Sequence, residues 1–540
     1  MDLTRRDLLA LGGMTAAGAV LAPSTARAQA PRRGGTLSLR LWDPPHWDHM
    51  LTVSYKTNIP LSLTHNRLVK PKVGPAIQPG SFPLEGDLAE SWTQPNDTTY
   101  VFKLRRGVRW HNKPPVNGRE LIAEDVKYTL ERFLSVKGNS NVYMLRSVDK
   151  VEAVDKYTVK ITLKEPTAWF LDMLASPMAV AIVAREAVDK FGDLRTMEAV
   201  IGTGPWMLDS YKPNVGYTCV RNPNYFIVGQ PYIERIEATI DEDNASRMAA
   251  FMSGKYDLGW EFPGTINRTD WVQIKDTLKQ KRPNLKTAEF PGNVMSHIAM
   301  RTDQKPYSDV RVRQAISLAI DRQGILDATA EGVGVFNPAI PTALRDWAIP
   351  MNQLGEGGKY FKYDPAEAKR LLAAAGYPNG FQAPMCFTTY GSTILVDAMT
   401  LILKYLKDVG IDAKLDQREY GAFAATCLLG KIDSMSYGPQ TPFLDPDNFL
   451  NQYYPEEPKN QSHITDPVVT DMIVRQRRTP DVARRREILV DIQKYLAKQQ
   501  YYVTTASGVY IAVWEAALKN YGPNLGYDYG GRLVAAWLDR

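Results

Sequence analysis

The chain is poor in cysteine and histidine, with three cysteines and six histidines among 540 residues. The cysteines, Cys219, Cys386 and Cys427, lie far apart and form no Cys-x-x-Cys motif. Three cysteines exclude a disulfide framework and permit at most one bridge. The spacing favours the simpler interpretation that all three are small buried side chains without a partner.

Long apolar runs and a large excess of one charge are also missing. Beyond residue 28 no segment approaches 18 consecutive apolar residues, so the sequence predicts no membrane-spanning helix. The net charge is only +6, and basic residues alternate with acidic ones. A nucleic-acid-binding protein would show a basic face or stripe. The densest basic cluster, Arg484–Arg486, is interpreted as the solvated face of a helix, so we expect no nucleic-acid partner.

The motifs of common enzyme classes are absent as well. No G-x-S-x-G, H-E-x-x-H, Walker A, G-x-G-x-x-G or EF-hand pattern occurs. We therefore expect no enzyme, with a hydrolase built from scattered residues as an alternative. His46 and His49, beside Asp43 and Asp48, come nearest to a metal-ligand pattern. A metal site needs three or four converging ligands, so we expect neither a metal nor a cofactor.

The first 28 residues have the pattern of an export signal. Thr4–Leu9 matches the twin-arginine consensus, a weakly apolar stretch follows, and Ala26–Ala28 is typical of a cleavage site. We predict a twin-arginine signal peptide over residues 1–28 and a mature chain from Gln29, with an ordinary secretory signal as the alternative. Because no cysteine lies near the cleavage site, we expect a soluble periplasmic protein that is not a lipoprotein.

Strand and helix patterns alternate along the rest of the chain. Gly34–Leu41 alternates apolar and polar residues and predicts a strand with Leu37, Leu39 and Leu41 on one face. Asp125–Val136 has the spacing of an amphipathic helix. Val151–Val154 and Thr158–Leu163 predict a β-hairpin. Alternation of this kind implies α/β architecture.

Helix ends and turns are also marked in the sequence. Asp364-Pro365-Ala366-Glu367 predicts a capped helix start, and Gly376 predicts its end. Ser308 is expected to cap another helix. The Gly-Thr-Gly-Pro run at residues 202–205 is predicted to be a turn entering a strand. Pro205 lacks the backbone N–H that a phosphate-binding loop would use.

Four motifs follow one another between residues 86 and 132. They are Leu88–Trp92, the aromatic strand Tyr100–Phe102, Leu104–His111 and Asp125–Tyr128. Together with the block at residues 202–226, they resemble the family 5 extracellular solute-binding proteins, the peptide- and nickel-binding group of ABC importers. The resemblance extends over residues 34–540 and thus over essentially the whole mature chain.

The resemblance implies a two-lobed α/β fold, the type II periplasmic-binding-protein fold, with the ligand cleft between the lobes. Lobe I would comprise residues 31–290 and 508–540, with an extra subdomain at about 66–200, and lobe II would comprise residues 291–507. The chain would cross between lobes near Lys286–Met300 and Tyr502–Val513. Such a protein is expected to be a monomer that captures a solute by lobe closure and delivers it to a membrane permease.

The resemblance also implies ligand contacts in four loops that face the cleft. Aromatic rings there would supply rigid contact area, although any one of them is equally explained by core packing. The predicted ligand contacts are Trp42, Asp43, His46 and Trp47 after the first strand, then Trp260 and Glu261, then Tyr390, and last Tyr437, Gln440, Thr441 and Phe443.

The charged anchors of peptide-binding relatives are missing. The aspartate that holds a peptide amino group would fall near Pro442, and no acid occurs between Ser434 and Leu444. The arginine that dipeptide binders use for the carboxylate would fall near Thr389, where the chain has none.

Asp43, Asp48 or Glu261 are possible substitutes for the missing anchors. Peptide uptake remains the default. The alternatives are an oligosaccharide, an opine-like conjugate or an aromatic compound, and then a nickel binder or a periplasmic sensor subunit.

Overall fold

A computed structural model describes residues 30–540 except 53, 140, 261–265, 267, 389–392, 441–443 and 527. The predicted signal peptide therefore lies outside the described residues. Among the helices of the described part, none is both long and apolar enough to cross a membrane.

The described elements up to residue 291 alternate between strands and helices. In chain order they are β1 (Thr36–Leu41), α1 (Tyr55–Thr64), β2 (Val69–Pro71), β3 (Leu84–Gly86), β4 (Ala89–Asn96), β5 (Thr99–Leu104), α2 (Ala123–Ser135), β6 (Val148–Asp155), β7 (Thr158–Leu163), α3 (Phe170–Ala175), α4 (Arg185–Phe191), β8 (Trp206–Lys212), β9 (Gly216–Arg221), β10 (Arg235–Ile240), α5 (Asn244–Met252), β11 (Leu258–Trp260), α6 (Arg268–Lys281) and β12 (Lys286–Pro291).

The alternation continues to the end of the chain. The remaining elements are β13 (Ser296–Met300), α7 (Val310–Ala319), α8 (Arg322–Thr329), β14 (Gly334–Phe336), α9 (Pro365–Ala374), β15 (Phe381–Phe387), α10 (Thr393–Asp408), β16 (Ile411–Gln417), α11 (Tyr420–Thr426), β17 (Met435–Pro439), α12 (Asp447–Leu450), α13 (Pro467–Arg477), α14 (Val482–Gln499), β18 (Tyr502–Thr504), β19 (Ala506–Trp514), β20 (Leu518–Lys519), α15 (Tyr529–Leu533) and β21 (Trp537–Leu538).

Three larger sheets organise these elements. The first sheet has the order β12-β19-β11-β1-β10-β9-β8, with β14 also paired to β19. The second sheet has the order β16-β15-β17-β13-β18, and the third has the order β4-β5-β7-β6. We call residues 89–175 the third-sheet region and residues 296–504 the second-sheet region. In β1, the leucines predicted to share one face, Leu37, Leu39 and Leu41, are all buried in the core of the first sheet.

The chain passes between the first and second sheets twice. β12 pairs with β19 in the first sheet, whereas β13 pairs with β17 and β18 in the second. The passages are therefore residues 292–295 and Thr505. Both passages fall inside the segments predicted to cross between lobes. The lobe boundaries themselves stay a proposal.

Local signals in the sequence locate several element ends. The Asp364 carboxylate accepts a hydrogen bond from the Glu367 N–H at the start of α9, and Gly376 beyond its end has φ +94°. At the start of α7 the prediction was wrong. Asp309 caps this helix by accepting from the Arg311 N–H, so the cap is one residue after Ser308.

Two of the three cysteines are bonded. Cys386 in β15 and Cys427 after α11 form a disulfide, so the expectation that all three are unpaired was wrong. The two lie 41 residues apart in the chain, and the fold brings them together in a small core with Phe423. Cys219 in β9 is free and buried. Burial raises the pKa of its thiol to about 12, so this cysteine stays protonated.

The Leu104–His111 motif ends in a buried histidine that holds a turn. His111 Nδ1 accepts from the Gly202 N–H at 3.2 Å, and Nε2 lies 3.1 Å from the Gly204 carbonyl oxygen. A Cβ on either glycine would collide with the carbonyl group of Thr64. The Gly-Thr-Gly run is thus a close-packed turn into β8, as predicted, and not a phosphate-binding loop.

Candidate functional site

Four strand ends point towards the two passages between the sheets. β19 begins directly after the passage at Thr505, and β11 is antiparallel to β19. The carboxyl end of β11 therefore lies on the side of the sheet that faces this passage. β1 runs parallel to β11 and ends there too. In the second sheet β17 is antiparallel to β13, with Pro439 opposite Ser296, and β15 is parallel to β17. Ligands of α/β proteins bind beyond the carboxyl ends of parallel strands, so this is the candidate cleft.

Polar side chains hold the two passages together. Asn337 Nδ2 donates to Ser507 Oγ at 2.7 Å, and Ser507 Oγ donates to the Val294 carbonyl at 2.7 Å. Thr505 Oγ1 donates to the Ser296 carbonyl at 3.1 Å. These bonds join each passage to the strand that follows the other passage, so they hold the two passages side by side.

The two tryptophans of the first loop lie in the core. Trp42 is 6% exposed and packs edge-on against Tyr55, with ring centroids 4.7 Å apart. Trp47 is 3% exposed and lies between Tyr211 and Tyr217 at 5.2 and 5.8 Å. Both rings are therefore packed in the core, as the alternative interpretation expected. Their contact with a ligand stays a prediction.

The acids of the first loop already have partners. Asp43 accepts from the Tyr211 hydroxyl at 2.6 Å and from the Asn214 N–H at 2.8 Å. Asp48 is fully buried and accepts from Arg132 Nη2 at 2.9 Å. Neither carboxylate is thus left over to replace the missing anchor for a peptide amino group.

His46, in the same loop, accepts through Nδ1 from the Asp48 N–H at 3.2 Å. Partial burial lowers the pKa of His46, and the Arg195 charge lowers it further. The imidazole is therefore neutral at pH 7. As a ligand contact it would offer its Nε2 atom rather than a positive charge.

The predicted contacts in the second sheet lie at the end of β17. Tyr437 is buried, stacks on Phe387 at 6.4 Å, and places its hydroxyl 3.4 Å from Thr505 Oγ1. Gln440 is half-buried, and its N–H donates to the Met295 carbonyl at 2.7 Å. Its Nε2 lies 3.4 Å from the Phe449 carbonyl, whereas its Oε1 is buried without a hydrogen-bond donor. Gln440 thus presents an unused acceptor at the passage.

The side chains of the other five predicted contacts are not among those that the structure describes. Trp260 ends β11, opposite Ala512 of β19, and only its backbone is described. The remaining predicted contacts, Glu261, Tyr390, Thr441 and Phe443, lie outside the described residues. In the sequence they come shortly after β11, β15 and β17, respectively. Their role as ligand contacts stays a prediction.

Sequence reasoning missed a buried arginine beside the passage. Arg322 is 2% exposed and donates from Nε to the Thr504 carbonyl at 2.8 Å and from Nη1 to the carbonyls of Ser317 and Phe361 at 3.0 and 3.1 Å. It therefore fixes the end of β18 where the chain leaves the second sheet. The sequence signal was an arginine at the start of an amphipathic helix, which by itself predicts a solvated charge.

The third-sheet and second-sheet regions also touch each other directly. Arg146 Nη2 lies 2.7 Å from Glu457 Oε1, and Arg478 Nη2 lies 2.7 Å from Glu165 Oε2. The Ala168 N–H donates to the carbonyl of residue 477 at 2.9 Å. These contacts connect the two regions.

Metal ligands do not gather in the described residues. No group of three or more His, Cys, Asp or Glu is arranged there to hold a metal ion. His49, the nearest histidine to His46, is buried and accepts from the Ala181 N–H at 3.2 Å through Nε2. Burial lowers its pKa to about 4.

Comparison with known proteins agrees with this architecture. The family model of the bacterial extracellular solute-binding proteins, family 5, matches residues 83–461. Heme-binding protein A of Haemophilus influenzae is 30% identical over 418 residues, which are 72% of this chain and 70% of the relative. Glutathione-binding protein GsiB of Escherichia coli K12 is 27% identical over 439 residues, which are 78% of this chain and 80% of the relative.

A solved structure shows the same fold. The periplasmic binding protein DppA from Helicobacter pylori, in complex with the peptide STSA, superposes with a TM-score of 0.76 at 24% identity. The superposition covers 94% of this chain and 99% of DppA. The fold is thus that of the two-lobed periplasmic binding proteins, and the chain belongs to the bacterial extracellular solute-binding proteins of family 5.

Proposed function

We propose that the chain is the periplasmic substrate-binding subunit of an ABC importer. It captures a small organic solute between two lobes and delivers it to a membrane permease. The observation that carries the proposal is the meeting of β1, β11, β15 and β17 at the two passages between the sheets. A ligand held there contacts both lobes at once, so binding favours the closed arrangement.

The solute class is proposed from the charges at the cleft. The described carboxylates of the first loop, Asp43 and Asp48, are held by Tyr211 and Arg132. Asp445, two residues before α12, accepts from both Nη atoms of Arg485 at 2.8 Å. A peptide-like solute therefore finds few free charged anchors, because each of these acids already accepts hydrogen bonds within the protein. Peptides remain the first class to test, and an uncharged sugar or aromatic compound is the second.

The proposal is tested by native mass spectrometry of the protein without residues 1–28, followed by denaturing extraction. An unmodified small organic molecule released in stoichiometric amount supports capture. Recovery of a chemically altered product, or of bound nickel alone, contradicts it. If the protein is empty, thermal melting is measured with peptide, oligosaccharide and aromatic panels, and a complete lack of stabilisation contradicts the proposal.

A variant at the passage tests the location of the cleft. Gln440→Leu removes the unused acceptor Oε1 while keeping the side chain similar in size. We expect solute affinity to fall by about fivefold to tenfold, the value of one hydrogen bond. Gln499→Leu, at the end of α14 away from the cleft, is the matched control. Equal affinity in both variants would place the solute elsewhere.

A further inference from the structure

The second sheet has an open edge at β16. In the order β16-β15-β17-β13-β18, β16 lies at one end and pairs with β15 alone among the described strands. The strands that adjoin the passages, β13 and β18, lie at the other end of the sheet. The open edge of β16 therefore faces away from the passages. An edge of this kind is a template for pairing with another strand.

Alternate residues of β16 direct their backbone groups to this open edge. At the start of the β15–β16 pair, the Phe381 N–H donates to the Gly410 carbonyl at 3.2 Å. At its end, the Arg418 N–H donates to the Phe387 carbonyl at 2.8 Å. Since a strand presents successive residues to opposite sides, the even-numbered residues of β16 bond to β15. The odd-numbered residues point N–H and C=O outward, and they include Ala413, Leu415 and Gln417.

The even-numbered residues carry charges of alternating sign. Asp412, Lys414 and Asp416, together with Arg418 just beyond the strand, have side chains that are 30–65% exposed. Within the chain, Lys414 lies 2.8 Å from Asp412, and Arg418 lies 2.5 Å from Asp416. Exposed ion pairs of this kind contribute little to stability. Each of these charges is therefore available to a second partner of opposite sign.

The alternation makes β16 complementary to itself in one antiparallel register. With a two-fold axis at Leu415, Lys414 lies opposite the partner's Asp416. Asp412 lies opposite the partner's Arg418. Opposite charges that face each other across an antiparallel pair stabilise it.

The same axis also matches the outward backbone groups. Leu415 and the partner's Leu415 exchange two hydrogen bonds, and so do Ala413 and the partner's Gln417. The Leu415 side chain is 44% exposed in the single chain and is covered by its own copy in the pair. Two five-stranded sheets thereby become one continuous sheet.

Like charges disfavour the neighbouring registers. An axis at Lys414 would place this residue opposite its own copy, and Asp412 opposite the partner's Asp416. An axis at Asp416 would place Lys414 opposite the partner's Arg418. Axes two residues away from Leu415 keep only one of the two kinds of opposite-charge pair. Charged side chains commonly protect edge strands from pairing, and here they select one register.

We propose that β16 is an interface at which two copies of this chain form an isologous dimer with the two-fold axis at Leu415. Because the paired strands run in opposite directions, the strand ends at the passages of the two copies point to opposite ends of the joined sheet. The two candidate clefts are thus kept apart, and solute capture does not depend on the dimer. An edge-to-edge contact is small, so the monomer expected from the sequence prevails at low concentration.

The test is sedimentation equilibrium of the protein without residues 1–28 at about 5–300 µM. We expect the average mass to rise towards twice the monomer mass. Lys414→Glu places like charges opposite each other and should weaken dimerisation by about tenfold or more. The matched control is Lys150→Glu on β6, the edge strand of the third sheet, where Lys150 is 64% exposed and pairs with Glu152. It should leave dimerisation unchanged.

A second change tests the register. Asp416→Lys alone should also weaken the dimer by about tenfold. Lys414→Glu together with Asp416→Lys brings opposite charges face to face again and should restore most of the affinity. Leu415→Pro tests the backbone, because it removes an N–H that points away from β15. Proline is tolerated at such an edge position, so this variant should fold without forming the dimer.

Each contrary result overturns the proposal. A mass that stays at the monomer value at about 300 µM would do so. Equal dimerisation of Lys414→Glu would place the interface elsewhere, and a double variant as weak as the single variants would exclude the register. Melting temperatures establish that each variant is folded, and if Leu415→Pro is not, the charge variants decide alone. Solute binding by the same variants reports separately on the proposed function.

Discussion

Four histidines, His49, His65, His111 and His297, are buried in the described part of the chain, and burial lowers the pKa of each. The pKa of His49, His111 and His297 falls to about 4, from an ordinary 6.5. A base whose pKa is depressed on folding binds protons more readily when unfolded, so the folded state loses stability as the pH falls from 6.5 to 4. We expect each histidine to lower the free energy of unfolding by up to about 3 kcal/mol over this range.

His111 isolates this effect in one side chain. His111→Gln removes the titrating ring from between Gly202 and Gly204, so the variant should be less stable at pH 7 but should lose less stability on acidification. Urea denaturation at several pH values measures both. A variant with the same acid dependence as the unmodified protein would show that His111 does not titrate in this window.

Trp47 is predicted to act mainly through packing. Its ring fills the space between Tyr211 and Tyr217, so Trp47→Ala should lower the free energy of unfolding by about 3–5 kcal/mol. Trp47→Phe should lose clearly less. Thermal or chemical denaturation without ligand distinguishes the two. If Trp47→Ala lowers the free energy of unfolding only slightly, the ring does not act mainly through packing, and its role as a ligand contact is favoured.

At the scale of elements, the disulfide ties the end of β15 to the segment after α11. Cys386→Ala with Cys427→Ala should lower the free energy of unfolding by about 2–4 kcal/mol, because the bond closes a loop of 41 residues. Cys219→Ala, a single change at a buried free thiol, is the comparison. If added reductant leaves the melting temperature of the unmodified protein unchanged, the bond does not contribute.

Elements set by neighbouring residues could be predicted from the sequence. The β6–β7 hairpin, α2, and α9 with its Asp364 cap are found where local pattern and turn chemistry predicted them. The pairing of Cys386 with Cys427 could not be predicted in this way, because it depends on the tertiary fold.

The candidate site was predictable only in outline. The loop after β1 and the end of β17 were expected at the cleft, and they follow strands that end at the passages. What the pattern did not reveal was which side chains are already engaged. Asp43 is held by the β8–β9 hairpin and Asp48 by α2, and both partners come from far along the chain.

At the scale of the whole molecule, the contact between the third-sheet and second-sheet regions should depend on pH. Asp172 in α3 faces Asp445 and Arg485 of the second-sheet region. Within the third-sheet region it lies near Tyr100 of β5. Burial, and then the Asp445 charge, raise the pKa of Asp172 to about 7, although Arg485 opposes them. Its contribution is therefore present at low pH and is lost as the pH rises through 7.

We expect the two regions to be held together more firmly at about pH 6 than at about pH 8. Asp172→Asn, which mimics the neutral acid, should remove the difference. Melting temperature and the radius of gyration from X-ray scattering at both pH values measure it. If Asp172→Asn keeps the full pH dependence, another group is responsible.

The state of the three cysteines determines how readily a fluorescent label can be attached to follow conformational change in this protein. Two are consumed in a bond and the third, Cys219, is enclosed in β9 with its thiol protonated. Thiol-reactive dyes therefore meet no competing target in the native protein. A single cysteine engineered at the rim of the cleft would be labelled selectively, and its fluorescence would turn the protein into an optical sensor for whatever solute it captures.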